Sequence, residues 1–283
     1  MRRLPEEHGG DSSASFVALK SHLREMGGAL VAFSGGVDSS LLLAAAYDAL
    51  GAGVLAVTGI SPAFTSHDFG VARDVASHIG ARWMTVETDE LNDPLYRRNP
   101  HNRCYHCKMR LFSILLNLAA REGLPFVVEG TNADDLKDFR PGLQAAHEKG
   151  IRSPFIELRI GKSAIRSIAR ELGLPNWDRP ASACLASRIP YGEEITVERL
   201  RRVAASEESI RRLGFGRVRV RDYGTAARIE LDVEDFPRIV EPGIRDAVVK
   251  GCLGAGYTQV TLDLQGYRTG AMNEELTTAE RRN

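Results

Sequence analysis

Two rhythms of apolar and polar positions divide the chain. Phe16, Leu19 and Leu23 recur at helical spacing and predict a first helix over 15–27. ALVAF (29–33) is apolar at every position, as in a strand buried on both faces, and runs into a glycine turn. A helix then runs from about Asp38 to a stop at Gly51. VLAVTGI (54–60) reads as a second buried strand, 66–79 as an amphipathic segment, and RWMTVET (82–88) as a third strand. KMRLFSILLNLAAREG (108–123) is a helix closed by Gly123, and PFVVEG (125–130) is a strand entering a polar turn. Strands apolar on both faces, alternating with helices, predict an α/β fold with a helix-covered parallel sheet.

Past residue 190 the rhythm changes. TVERLRRVAASEESIRRLGF (196–215) is helical, while RVRVRDYG (217–224) and AARIELDV (226–233) alternate as half-buried strands do. A helix around 242–253 and a last strand, YTQVTLDL (257–264), complete a small α+β pattern. The join falls in RIPYGEEIT (188–196). The expected division is a flexible lead-in at 1–14, an α/β domain at 15–190, a small α+β domain at 191–273 and a polar tail at 274–283.

Composition narrows the function classes. Of 283 residues, 43% are hydrophobic and 26% charged, an ordinary globular balance. Lysine plus arginine equal aspartate plus glutamate at 37 each, and no basic stripe interleaves with aromatics, which argues against nucleic acid as partner. No apolar run approaches the ~20 residues of a membrane span, and no apolar segment follows the two N-terminal arginines as in a signal peptide. Four cysteines, at 104, 107, 184 and 252, then read as reduced thiols of a cytoplasmic protein.

The glycine turn SGGVDSS (34–40) is built to hold phosphate. Adjacent Gly35 and Gly36 admit a tight turn and close backbone approach, and the following helix start offers unpaired N–H groups. Ser34, Ser39 and Ser40 add hydroxyl donors. It is neither GxxxxGK[ST] nor GxGxxG. The plainer reading is a βα turn with Asp38 as helix cap. SGGVDSS resembles the pyrophosphate loop of the PP-loop ATP pyrophosphatases, which cleave ATP to AMP and pyrophosphate while adenylating a carboxylate or carbonyl oxygen. The resemblance implies that Ser34, Gly35, Gly36, Asp38, Ser39 and Ser40 cradle pyrophosphate, with Mg²⁺ balancing its charge. EGTNADD (129–135) fits a second wall, with Thr131 and Asp135 at the nucleotide and Asp134 and Asp135 as Mg²⁺ candidates.

Three further stretches narrow the resemblance: NPHNRCYHCKMRLF, DFRPGLQAAHEKGIRSPFIEL and RPASACLASRIPYG. With the ending TLDLQGYRTGAMN they resemble the LarE group, over about 15–273. These ATP-dependent sulfur insertases build the nickel-pincer nucleotide cofactor of lactate racemase. The resemblance implies a small nucleotide substrate, pyridinium-3,5-biscarboxylic acid mononucleotide. Its carboxylates are adenylated and then converted to thiocarboxylates. It also implies a homo-oligomer and enzymes that supply the substrate and take the product. A tRNA thiolase, an amidating ligase of the NAD synthetase type, and a non-catalytic AMP-binding regulator are the rival readings.

The family supplies sulfur in two ways. In one branch a single cysteine, here matched by Cys184, gives up its own sulfur. In the other, three cysteines hold a 4Fe-4S cluster, a pattern that Cys104, Cys107 and Cys184 fit; three thiolates leave one iron open. Zinc, with His106 as a fourth ligand, is the rival metal. Arg179 and Arg188 flank Cys184 and favour its thiolate. Alternation puts Arg217, Arg219 and Arg221 on one face of a strand, a costly array unless anions or carboxylates face it. The resemblance implies that Arg219 and Arg221, with Glu207, bind a phosphate or metal. Arg140 and Arg188 are candidates for the substrate phosphate, Lys162 and Arg166 read as a solvated face, and Cys252 as core.

Overall fold

The computed structural model describes residues 12–137, 140–180 and 183–268. The expectations for 1–11, for Asp138 and Phe139, for Ala181 and Ser182, and for the tail beyond 268 lie outside the described residues. In chain order come α1 (Ser12–Met26), β1 (Ala29–Ala32), α2 (Val37–Leu50), β2 (Val54–Ile60), α3 (Ser66–Ile79) and β3 (Arg82–Glu87). The short α4 (Pro94–Arg97), α5 (Arg103–Arg121), β4 (Phe126–Glu129), α6 (Pro141–Glu148), α7 (Pro154–Glu157) and α8 (Lys162–Glu171) follow. Then come α9 (Val197–Arg212), β5 (Val218–Tyr223), β6 (Ala226–Leu231), α10 (Phe236–Ile239), α11 (Pro242–Gly254) and β7 (Gln259–Leu262). Two compact units result: one takes 12–60, 66–88, 107–137 and 140–180, the other 61–65, 89–106 and 183–268.

The first unit is the expected parallel sheet, in the order β3-β2-β1-β4. β1, β2 and β4 are largely apolar on both faces because both are covered: Leu30, Val31, Val54, Leu55, Val127 and Val128 are all buried, whereas the edge strand β3 is mostly exposed. Helix α2 buries Leu41, Leu42, Leu43, Ala45 and Ala46, nearly its whole circumference. Each fully buried leucine of this kind contributes about 1.5–3 kcal/mol. Helix α1 starts at Ser12, inside the expected lead-in, where the Ser12 hydroxyl donates to Glu171 at 2.8 Å. Its His22 lies 2.6 Å from Glu157 of α7. Hydrogen bonding from Arg152 holds the Glu157 carboxyl at about 2, outweighing burial. The pairing of Ala32 with Glu129 sets the carboxyl ends of β1 and β4 side by side. Ligands of parallel sheets bind at such ends.

The second unit carries a three-stranded sheet in the order β5-β6-β7. β5 and β6 pair antiparallel, whereas β6 and β7 pair parallel, with α10 and α11 between them in the chain. Ile210, Phe215, Val218, Val220, Ile229, Leu231, Val248 and the expected core residue Cys252 form its core. Among the described residues no helix is long and apolar enough to cross a membrane.

Candidate active site

Between β1 and α2 the backbone turns at Gly35 with φ +75°, and a Cβ there would sit 2.9 Å from the Cα of Ala72. Only glycine fits both demands. The Ser39 hydroxyl donates to the Gly36 carbonyl at 3.0 Å, and the Ser34 N–H donates to Ser39 Oγ at 3.3 Å. Gly36 is the N-cap of α2, and no side chain caps it. The first N–H groups of the helix are thus available to an anion. Asp38 is not the helix cap. Its two carboxylate oxygens each accept from Lys162 Nζ at 2.6 Å, and Asn132 Nδ2 stands 3.4 Å away. Lys162 and Arg166 therefore do not form a merely solvated face. Arg166 donates to the carbonyls of Trp177 and Arg179 at 3.0 and 2.9 Å.

The end of β4 closes on this turn: a Cβ on Gly130 would lie 2.9 Å from the backbone nitrogen of Ser39. Beyond it, Asp135 Oδ2 accepts from the Asn132 N–H at 3.1 Å, and Asp135 Oδ1 pairs with Arg140 at 2.7 Å. Burial raises the Asp135 carboxyl above its ordinary range despite those partners, and Asp38 adds to the rise. Asp134 is exposed and points at α8, accepting from the Lys162 N–H at 2.8 Å. Glu129 is buried and would be raised by burial alone. Lys108 at 3.2 Å and hydrogen bonds from Thr131 and Ser153 more than offset this and hold it low.

In the second unit Cys184 is free and exposed, just ahead of a tight turn at Leu185–Arg188. Its carbonyl accepts from the Ser187 hydroxyl at 2.8 Å and from Arg188 at 3.1 Å. Cys104, which forms no disulfide, is exposed in the first turn of α5, and Cys107 follows one turn on in the same helix. Tyr191 senses both Cys104 and Cys184: burial raises its hydroxyl, and charge on either thiol raises it further. Arg103 stacks 4.6 Å from the Tyr191 ring and donates to Asn99 at 2.9 Å, and Asn99 donates to the Ile189 and Pro190 carbonyls.

Fully buried Glu207 accepts from Arg188 at 2.7 Å, from Arg211 at 2.6 Å and from the Val220 N–H at 3.1 Å. Burial would raise its carboxyl, but Arg188, Arg211 and Arg219 hold it low. Arg219 has no carboxylate of its own at ion-pair distance among the described residues; it lies over the Tyr267 ring at 5.5 Å, and burial and Arg188 lower it. Arg221 pairs with buried Glu230 at 2.7 Å, and Arg217 pairs with Asp232. The array of like charges along β5 is thus largely met by carboxylates.

The asparagine synthase family profile matches residues 17–137. An uncharacterised protein of Synechocystis is 46% identical over 92% of this chain and 97% of its own length. The pyridinium-3,5-bisthiocarboxylic acid mononucleotide synthase of Lactiplantibacillus plantarum is 39% identical over 93% of this chain and 95% of its own. The chain belongs to the LarE family. An uncharacterised Methanocaldococcus jannaschii protein, 32% identical over 89% of the chain, extends the same relationship. LarE membership and the asparagine synthase match together make the chain an ATP-dependent enzyme of the PP-loop class.

Within this LarE chain, the loop residues Ser34–Ser40, Thr131, Asp135 and Arg140 fall in the first unit. Cys104, Cys184, Arg188, Glu207, Arg219 and Arg221 fall in the second. Pattern reading missed Asn132, Lys162, Asn176 and the Lys108–Glu129 pair, for which no local spacing gives a signal. Among the described residues no group of three or more His, Cys, Asp or Glu side chains is placed to hold a metal ion. The chemistry of the donor set does fit a cluster: three thiols in no disulfide, sulfur only, two of them exposed.

Proposed function

We propose that this LarE-family enzyme adenylates the carboxylates of pyridinium-3,5-biscarboxylic acid mononucleotide and converts them to thiocarboxylates. The observation that carries the reading is one chain uniting an uncapped pyrophosphate loop with a free, exposed Cys184, in a relative of a bisthiocarboxylate synthase. A substrate carboxylate oxygen attacks the α-phosphorus of ATP, and pyrophosphate leaves into the turn at Ser34–Ser40. Mg²⁺ would take Asp38 and Asp135, two neighbouring carboxylates already compensated by Lys162 and Arg140. The acyl-adenylate is then open to a thiolate, the strongest nucleophile among side chains near neutral pH.

When Cys184 is itself the donor, its thiolate attacks the acyl carbon and AMP departs. Loss of the Cα proton then breaks the Cβ–S bond, which leaves dehydroalanine and releases the thiocarboxylate. Alternatively, Cys104, Cys107 and Cys184 would together hold a 4Fe-4S cluster, which would supply transferable sulfide in place of the Cys184 sulfur. Arg219, with Arg188 and Arg211 around the single carboxylate of Glu207, offers surplus positive charge for the substrate phosphate. We place the enzyme in the cytoplasm, where thiols stay reduced. We take it to act as a homo-oligomer between enzymes that make the biscarboxylate and use the bisthiocarboxylate.

Anaerobic protein with substrate and MgATP should give AMP, pyrophosphate and a sulfur-bearing product by mass spectrometry. Cys184→Ala should stop sulfur incorporation while pyrophosphate release continues. About four irons per chain, lost in Cys104→Ala, would support the cluster; dehydroalanine at 184 without iron would support self-donation. The match to asparagine synthase over 17–137 favours a second reading, an amidating ligase. Ammonia-dependent amide formation that survives Cys184→Ala would establish it instead.

A further inference from the structure

Asn176 belongs to none of the motifs above and lies outside the 17–137 match, yet it touches the nucleotide turn directly. It is 4% exposed, and its Nδ2 donates to the Gly35 carbonyl at 2.8 Å and to Ser40 Oγ at 2.9 Å. A carbonyl can only accept, so the side-chain NH₂ must face it, which settles the orientation of the amide. Both N–H bonds of that group are then used.

We propose that Asn176 is a positioning residue of the adenylation half-reaction, holding the Gly35–Gly36 peptide so that its N–H, and not its carbonyl, faces the nucleotide phosphates. In a planar trans peptide the C=O and N–H point opposite ways. With the Gly35 carbonyl drawn inward to Asn176, the Gly36 N–H is directed outward, where it donates to the exposed Ser34 Oγ at 3.3 Å, a bond that an entering phosphate oxygen would replace or share. A flipped peptide would present a carbonyl oxygen to the phosphates and repel them. The flip is sterically open because both flanking residues are glycine, and Gly35 already sits at φ +75°. Within the turn this peptide has the 3.3 Å bond from the Gly36 N–H to Ser34 Oγ, and the shorter bond, to its carbonyl, comes from Asn176, 141 residues on.

Asn176 is well held for this task. The carbonyls of Trp177 and Arg179 accept from Arg166, the Leu174 N–H donates to the Ala169 carbonyl at 2.9 Å, and Arg179 pairs with Asp68 of α3 at 2.7 Å. The segment 174–179 is thereby fixed to α8 and α3, and the turn is pressed on its other side by Ala72 of α3.

The inference rests on the proposed adenylation, so wild-type pyrophosphate release is measured first. Initial rates against MgATP, with melting curves, are then compared for Asn176→Ala, Asn176→Ser and Asn176→Asp. Asn176→Ala should raise the KM for MgATP about tenfold with kcat within about threefold of wild type. Asn176→Asp, isosteric but with an oxygen facing the Gly35 carbonyl, should raise it further; Asn176→Ser, which keeps one donor, should fall between alanine and wild type. Should the alanine variant fail to fold, the near-isosteric aspartate and the serine variants carry the comparison. Folded variants whose KM stays within twofold, or whose kcat falls at unchanged KM, overturn the positioning role and leave the adenylation reading intact. A wild-type protein that releases no pyrophosphate overturns both.

Discussion

Lys162 brings its ammonium into the candidate nucleotide site, with Nζ 2.6 Å from both oxygens of Asp38, 124 residues away in the chain. Both side chains are partly open to solvent, so the pair adds no more than about 1 kcal/mol to stability. Its value lies in charge placement. A cation entering at Asp38 would displace the ammonium, which would then stand beside the phosphates whose charge grows as pyrophosphate leaves. Lys162→Ala should therefore leave the melting temperature nearly unchanged and lower kcat/KM for pyrophosphate release by about a hundredfold, the usual cost of losing one charge-stabilising group. Unchanged kcat/KM in the variant would remove Lys162 from the chemistry. No pattern in GKSAIR singles this lysine out, because its partner is supplied by sheet topology and not by spacing. SGGVDSS, by contrast, is legible because the turn, its hydroxyls and the helix start are contiguous.

At the level of elements, the site depends on how tightly β4 meets the start of α2. A Cβ on Gly130 would lie 2.9 Å from Ser39 N and 3.1 Å from the Asp38 carbonyl carbon, both backbone atoms that cannot rotate aside. Gly130→Ala should destabilise the protein by about 1–3 kcal/mol and weaken MgATP binding together with it. Gly216→Ala, with nothing within 4 Å of the added carbon, should shift stability by less than about 0.5 kcal/mol. Equal melting temperatures for the two variants would contradict this packing. The buried strands were legible because they are apolar throughout. Helix α8 was not delimited although Ile165, Ile168 and Ala169 bury at helical spacing, because that stripe is only three residues, too short to set its bounds. α4 and α7 are four residues each, too short to show any period. Helix α5 begins five residues before the predicted start at Lys108: the residues RCYHC carry no apolar period, and among them only Arg103 is buried.

Across the whole molecule, the linear rhythm of strands and helices pointed to the α/β class and a small α+β unit, while the parallel pairing of β6 with β7 was visible only in the structure. It could not show that 61–65 and 89–106 group with the second unit, because that depends on contacts distant in sequence. The grouping places Cys104 in the same unit as Cys184 and leaves Cys107 in the other. The central claim, that a carboxylate is adenylated and then thiolated, is tested most directly with substrate carrying oxygen-18 in its carboxylates. One mass-spectrometric analysis of the products reads both halves. Labelled AMP alongside a product in which sulfur replaces oxygen is the predicted result. Unlabelled AMP, or a product without sulfur from active, anaerobically prepared enzyme, would contradict the account.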